Sequence, residues 1–114
     1  MNISWPVFLE TNSGIIKAET KDLSRVGAFV KCSKPLFPGE QFRMTIEIPE
    51  KDPISLKSEV IWSNSNIPDE MVVTRGMGIR FLQNLDDDLG SLKSALEEYL
   101  ESIKRAPVKR VAFI

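Results

Sequence analysis

With 114 residues, 42% hydrophobic and 27% charged, the chain has material for one domain around one modest core. Its net charge of −1 supplies no field to draw it onto nucleic acid, and it has neither a membrane-length apolar run nor a signal-peptide layout. With no histidine and a single cysteine, Cys32, it lacks the usual general base, a Cys/His nucleophile, a zinc set and an internal disulfide, which points to a non-catalytic, metal-free protein of a reducing cytoplasm.

Ile3, Trp5, Val7 and Leu9 alternate with more polar neighbours, the period of a half-buried strand. Thr11-Asn12-Ser13-Gly14 is a turn, and a weaker strand from Ile15 to Thr20 completes a hairpin. After Lys21-Asp22-Leu23-Ser24-Arg25-Val26-Gly27 comes a short strand, Ala28 to Cys32, then a loop carrying Pro38-Gly39. Phe42, Met44, Ile46 and Ile48 alternate strictly with Gln41, Arg43, Thr45 and Glu47, the cleanest one-face-buried strand in the chain. Past a turn at Pro49 to Pro53, Ile54, Leu56, Val60 and Trp62 share a face interrupted only by Ser58. Ser63 to Arg75 reads as a long mobile loop, with Met71-Val72-Val73 available to extend a neighbouring strand. Met77, Ile79 and Phe81 form the last strand, with Gly76 and Gly78 on its other face.

From Asp86 the period changes. Leu89, Leu92, Leu96, Tyr99, Leu100 and Ile103 make one apolar helical stripe, started by Asp86-Asp87-Asp88, supported by Glu101 and Arg105 four apart, and stopped by Pro107. The aspartate triplet fits helix capping and lacks the spaced ligands of a calcium loop. Six short antiparallel strands are relieved of open edges by closing into a barrel, so the expected fold is an all-β, six-stranded antiparallel barrel with one C-terminal helix. Residues 1–105 would form this domain and 106–114 an apolar tail with two charges, suited to strand addition or a partner contact.

The most specific feature is Asp22-Leu23-Ser24-Arg25-Val26-Gly27 leading into Ala28-Phe29-Val30. It resembles the aspartate-x-serine-x-x-glycine motif of PilZ domains, at the entry to a barrel strand. Pro35-Leu36 with Gly39, then Val60-Ile61-Trp62, then Gly76-Met77-Gly78-Ile79-Arg80-Phe81 are similar to the family's later segments, in order. The likeness covers roughly residues 3 to 100.

The resemblance implies a PilZ-like barrel acting as a receptor for cyclic di-GMP, a regulatory ligand rather than a cofactor, with Asp22, Ser24, Arg25 and Gly27 as candidate binding residues. Asp22 would accept from a guanine edge, Ser24 would bond a phosphate or the base, Arg25 would reach a phosphate, and Gly27 would permit close approach. The same residues also suit a plain turn, in which Asp and Ser bond their own backbone and Gly marks a bulge. Trp5 and Trp62 read as core or barrel-mouth packing rather than as stacking platforms.

One departure matters. Nucleotide-binding members carry an arginine-x-x-x-arginine pair ahead of the first strand, whereas the only cations before Asp22 are Lys17 and Lys21, point charges without the planar fork. Either the chain is a degenerate member without the pair, or residues upstream of Met1 belong to it. Two functions follow: a cyclic di-GMP module whose bound ligand orders an N-terminal segment for a protein partner, or an adaptor of motility or pilus systems that works by protein contacts alone. A single-strand nucleic-acid binder is disfavoured, because no basic groove interleaves with aromatics.

Overall fold

The computed structural model describes residues 1–82 and 89–105, Arg105 by its backbone alone. Six strands, β1 (Pro6–Thr11), β2 (Gly14–Leu23), β3 (Gly27–Lys31), β4 (Gln41–Ile46), β5 (Ile54–Ser63) and β6 (Gly76–Phe81), precede the helix α1 (Leu89–Arg105). They close in the order β1-β2-β3-β6-β5-β4, every adjacent pair antiparallel. The expected barrel with one C-terminal helix is therefore the fold, and closure leaves none of these strands an unpaired edge.

Alternation builds the interior. Val7 and Leu9 of β1, Phe42, Met44 and Ile46 of β4, Ile54, Leu56 and Val60 of β5, and Met77, Ile79 and Phe81 of β6 are all buried. Ile3 and Trp5 keep the same phase ahead of β1, and this segment lies along β2: Thr20 N–H donates to the Trp5 carbonyl (3.0 Å) and Leu23 N–H to the Met1 carbonyl (2.9 Å). Thr20, fully buried, fastens the pair, its hydroxyl donating to the Ile3 carbonyl and accepting from Trp5 N–H.

The helix stoppers one mouth of the barrel. Leu92, Ala95 and Leu96 are buried there, Tyr99 meets Trp5 edge-on with ring centroids 5.8 Å apart, and Glu98 pairs with Lys51. Leu100 and Ile103, from the same stripe, remain exposed. The stripe is thus core over its first turns only.

Several local expectations change. The second strand does not stop at Thr20; it runs through Asp22 and Leu23, so half the motif is strand rather than loop. Met71-Val72-Val73 extends no strand. Met71 ends a 3-10 turn (Asp69–Met71), and Val73 is fully exposed. The segment expected to be mobile is clasped at its base: Arg75 donates to the Asn64 carbonyl and to Asp69, while the Asn64 side chain donates to the Thr74 carbonyl (2.8 Å) and accepts from Gly76 N–H (2.9 Å). Trp62 does not share the inward face of Ile54, Leu56 and Val60. The capping triplet Asp86-Asp87-Asp88, the Glu101–Arg105 pair, Pro107 and the apolar tail lie outside the described residues and side chains.

Candidate functional site

Two single-residue bulges decide what the outer wall displays. In β2, Thr20 pairs with Val30 but Asp22 with Phe29, so Lys21 is the extra residue. In β5, Val60 pairs with Ile79 but Trp62 with Gly78, so Ile61 is extra. Each bulge shifts the alternation by one. Thr20 and Leu23 therefore both point inward, with Lys21 and Asp22 outward between them, and Val60 points inward while Ile61 and Trp62 are exposed.

The result is a transverse row on the outer face. Asp22 is opposite Phe29, Phe29 opposite Gly78, and Gly78 opposite Trp62. The two rings stack with centroids 5.4 Å apart, tilted 34°. Gly78 makes this possible, since a Cβ there would come within 2.3 Å of the Trp62 indole nitrogen. The indole lies over β6 and is 47% exposed. An aromatic shelf thus occupies β3, β6 and β5, with a carboxylate at its β2 end. Cations border it along the strands: Arg80 donates to Glu59 (2.9 and 2.6 Å), and Lys31 lies 3.7 Å from Glu19.

Asp22 is exposed, its carboxylate 3.2 Å from the Met1 amine. Ser24 is occupied by its own turn. Its hydroxyl donates to the Gly27 carbonyl (3.2 Å) and accepts from Val26 N–H (3.2 Å) and Gly27 N–H (3.3 Å), while Ser24 N–H also donates to the Gly27 carbonyl (2.9 Å). Gly27 sits tight against β6, where a Cβ would fall 2.2 Å from the Ile79 carbonyl oxygen. Arg25 is exposed and, with Met1, Leu23, Ser24, Lys93, Leu96, Glu97 and Leu100, lines a cleft of about 450 Å³ between the turn and α1. So Asp22 stands exposed at the β2 end of the aromatic row, its carboxylate beside the Met1 amine, whereas Ser24 and Gly27 form the corner that joins β2 to β3. Among the described residues no group of three or more His, Cys, Asp or Glu side chains could hold a metal. Cys32 is buried, which raises its thiol pKa above the ordinary range.

The PilZ domain model matches residues 1–102, nearly the whole described chain. The chain belongs to the PilZ domain family. Among solved structures, this PilZ domain is similar to the Bacillus subtilis inhibitor of motility MotI/DgrA, with 19% identity and a TM-score of 0.67 over 89% of this chain and 49% of that one. It therefore spans about half the length of that neighbour, and the likeness is one of fold. No curated protein matches it. The family is one of cyclic di-GMP-related modules, and no helix among the described residues of this domain is long and apolar enough to cross a membrane.

Sequence reasoning reached Asp22 but missed Phe29 and Trp62 as surface residues. The signal was present in Val60-Ile61-Trp62, three apolar residues in a row where strict alternation calls for a polar one, and in the glycines of β6, which leave room for a large neighbour.

Proposed function

We propose that this chain is a non-catalytic regulatory module that takes a guanine nucleotide of the cyclic di-GMP class on its β2–β3–β6–β5 wall. The observation that carries the reading is the outer row from Asp22 through Phe29 and Gly78 to Trp62. A purine presents a flat face and, in guanine, an edge of N–H donors. An aromatic shelf ending in an exposed carboxylate answers both, and Lys31, Arg80 and Arg25 offer charge for phosphate. Ser24 and Gly27 hold the corner that keeps Asp22 in line with the shelf. No bond is made or broken; occupancy of the wall displaces the Met1 amine that lies 3.2 Å from the Asp22 carboxylate, shifting the segment before β1 that runs along β2, and a protein partner reads that change. Residues 1–105 form this module, residues 106–114 a tail, and the cytoplasm is its setting.

Calorimetric titration with cyclic di-GMP tests the reading. Without an arginine pair before Asp22, binding weaker than about 1 μM is expected, roughly −8 kcal/mol or less favourable. Asp22→Asn and Trp62→Leu should each abolish it while the far-UV spectrum stays native. Submicromolar affinity would contradict the weight given to the missing arginines. No heat, together with unmoved amide resonances at Asp22, Phe29 and Trp62, would dispose of the nucleotide.

A second reading is favoured by the Ser24 hydroxyl, which its own turn consumes. Here the barrel is an adaptor that acts through protein contacts, as in a motility or pilus system. The similar structure, an inhibitor of motility, makes such a system the first place to look.

A further inference from the structure

The apolar stripe of α1 is longer than the barrel mouth it covers. Leu92, Ala95 and Leu96 are at most 4% exposed, but Leu100 is 40% and Ile103 45% exposed, within the same helix of 17 residues. Glu97 lies three residues before Leu100 and Lys104 four after it, so the three share one side of the helix. Both charges are exposed, and among the described residues neither takes part in an ion pair, unlike Glu98, which is held by Lys51.

We propose that this half of α1 is a two-fold interface between two copies of the chain, the helices antiparallel and crossing at Leu100. The charge pattern selects the occupant. Glu97 and Lys104 stand at equal distances on either side of a point just past Leu100, so an antiparallel copy sets Glu97 against Lys104 of the second helix, and the reverse, around a Leu100–Leu100 contact. A parallel copy would oppose like charges at both places. A face of this kind is self-complementary, which is what an isologous contact requires. The cleft floored by Leu23, Leu96 and Leu100 opens beside it and provides a recess for apolar side chains of the second copy. One helix face per copy belongs to the small, transient class of interface, so the dimer is weak and concentration-dependent. The helix face itself lies apart from the aromatic row of the nucleotide wall, although Arg25 borders the cleft as well.

Sedimentation equilibrium of the full chain, from about 10 μM to 1 mM, tests it. The native protein should show monomer and dimer exchanging, with less dimer at high salt. Glu97→Lys and Lys104→Glu should each raise the dissociation constant about tenfold or more by opposing like charges twice. An equimolar mixture of those two variants should recover the dimer, because both ion pairs reform between unlike copies. Leu100→Asp should leave monomer with the same far-UV spectrum and cyclic di-GMP titration as the native chain. A native protein that stays monomeric throughout would overturn the proposal, as would a dimer indifferent to the charge variants or a mixture no more associated than its components. Coverage of this face by residues 106–114 or by a different protein would produce the first of those results.

Discussion

The two tryptophans should separate cleanly on replacement, because the structure gives them opposite environments. Trp5 is 6% exposed and Trp62 is 47% exposed. A tryptophan can bury up to about 250 Å². Trp62 keeps roughly half of that from water, about 3 kcal/mol at 25 cal per Å² and about 2 kcal/mol once compactness of the unfolded chain is allowed for. Because its site is open, water fills the space it leaves. Trp5→Ala removes nearly the whole ring from a closed mouth and leaves a cavity against Tyr99, so its cost should be about 4 to 5 kcal/mol. That is much of the stability of a domain this size, so Trp5→Phe serves as the folded counterpart. Urea unfolding followed by circular dichroism gives the two costs. Fluorescence of the single-tryptophan proteins gives the environments: in Trp5→Phe the remaining Trp62 emission should be red-shifted and readily quenched by acrylamide, and in Trp62→Ala the Trp5 emission should be blue-shifted and protected. Equal costs with equal quenching would refute the bulge at Ile61 and the outer shelf with it.

Three further outcomes follow from named contacts. Gly27→Ala should cost about 3 kcal/mol or more by urea unfolding, since its Cβ would stand 2.2 Å from the Ile79 carbonyl oxygen, a backbone atom of a paired strand that cannot turn aside. Thr20→Val keeps the shape but strips Trp5 N–H and the Ile3 carbonyl of a buried partner; a loss of about 3 kcal/mol and faster amide exchange at Trp5 are expected. Burial raises the Cys32 pKa, so the folded state holds its proton where the unfolded thiol has released it. The stability this contributes is complete below the unfolded thiol's pKa and declines as pH rises toward the folded value. Unfolding free energy measured from about pH 8 to 10 should therefore fall less in Cys32→Ala, and a thiol reagent should label the native protein slowly and the urea-unfolded protein at once.

Where hydrophobicity simply alternates, the fold could be read from the chain. Gln41 to Ile48 has one buried and one wet face as expected, and the helical period from Leu89 onward is equally plain. The illegible parts are those where pairing, rather than local sequence, sets the phase. Ile54, Leu56, Val60 and Trp62 are separated by even intervals, so a period of two puts them on one face. Only the partner strand reveals the extra residue, by pairing Val60 with Ile79 and Trp62 with Gly78. The end of α1 was obscure for a related reason: a stripe on a helix says which side is apolar but not how far the neighbouring surface extends.

The two bulges act together, and this explains why a motif at one place in the sequence becomes a wall four strands wide. Lys21 immediately precedes Asp22, and Ile61 immediately precedes Trp62. Both extra residues therefore stand next to the same transverse row, one at each end. Without the extra residue in β2, Asp22 would continue the phase of Ala18 and Thr20 and face the barrel interior, where a carboxylate without a partner would be driven to take up a proton. Without the one in β5, Trp62 would join Ile54, Leu56 and Val60 inside a barrel already filled by Leu9, Met44 and Met77. The four residues of the row depend on each other through the intervening strands: Phe29 needs an aromatic neighbour across Gly78, and Trp62 needs the missing Cβ of Gly78 to lie over β6. The corner made by Ser24 and Gly27 sets how closely β3 follows β2, and so holds Asp22 level with the shelf. The serine and glycine of the motif thus contribute through the register of the sheet, and the aspartate is the member left exposed on the outer face.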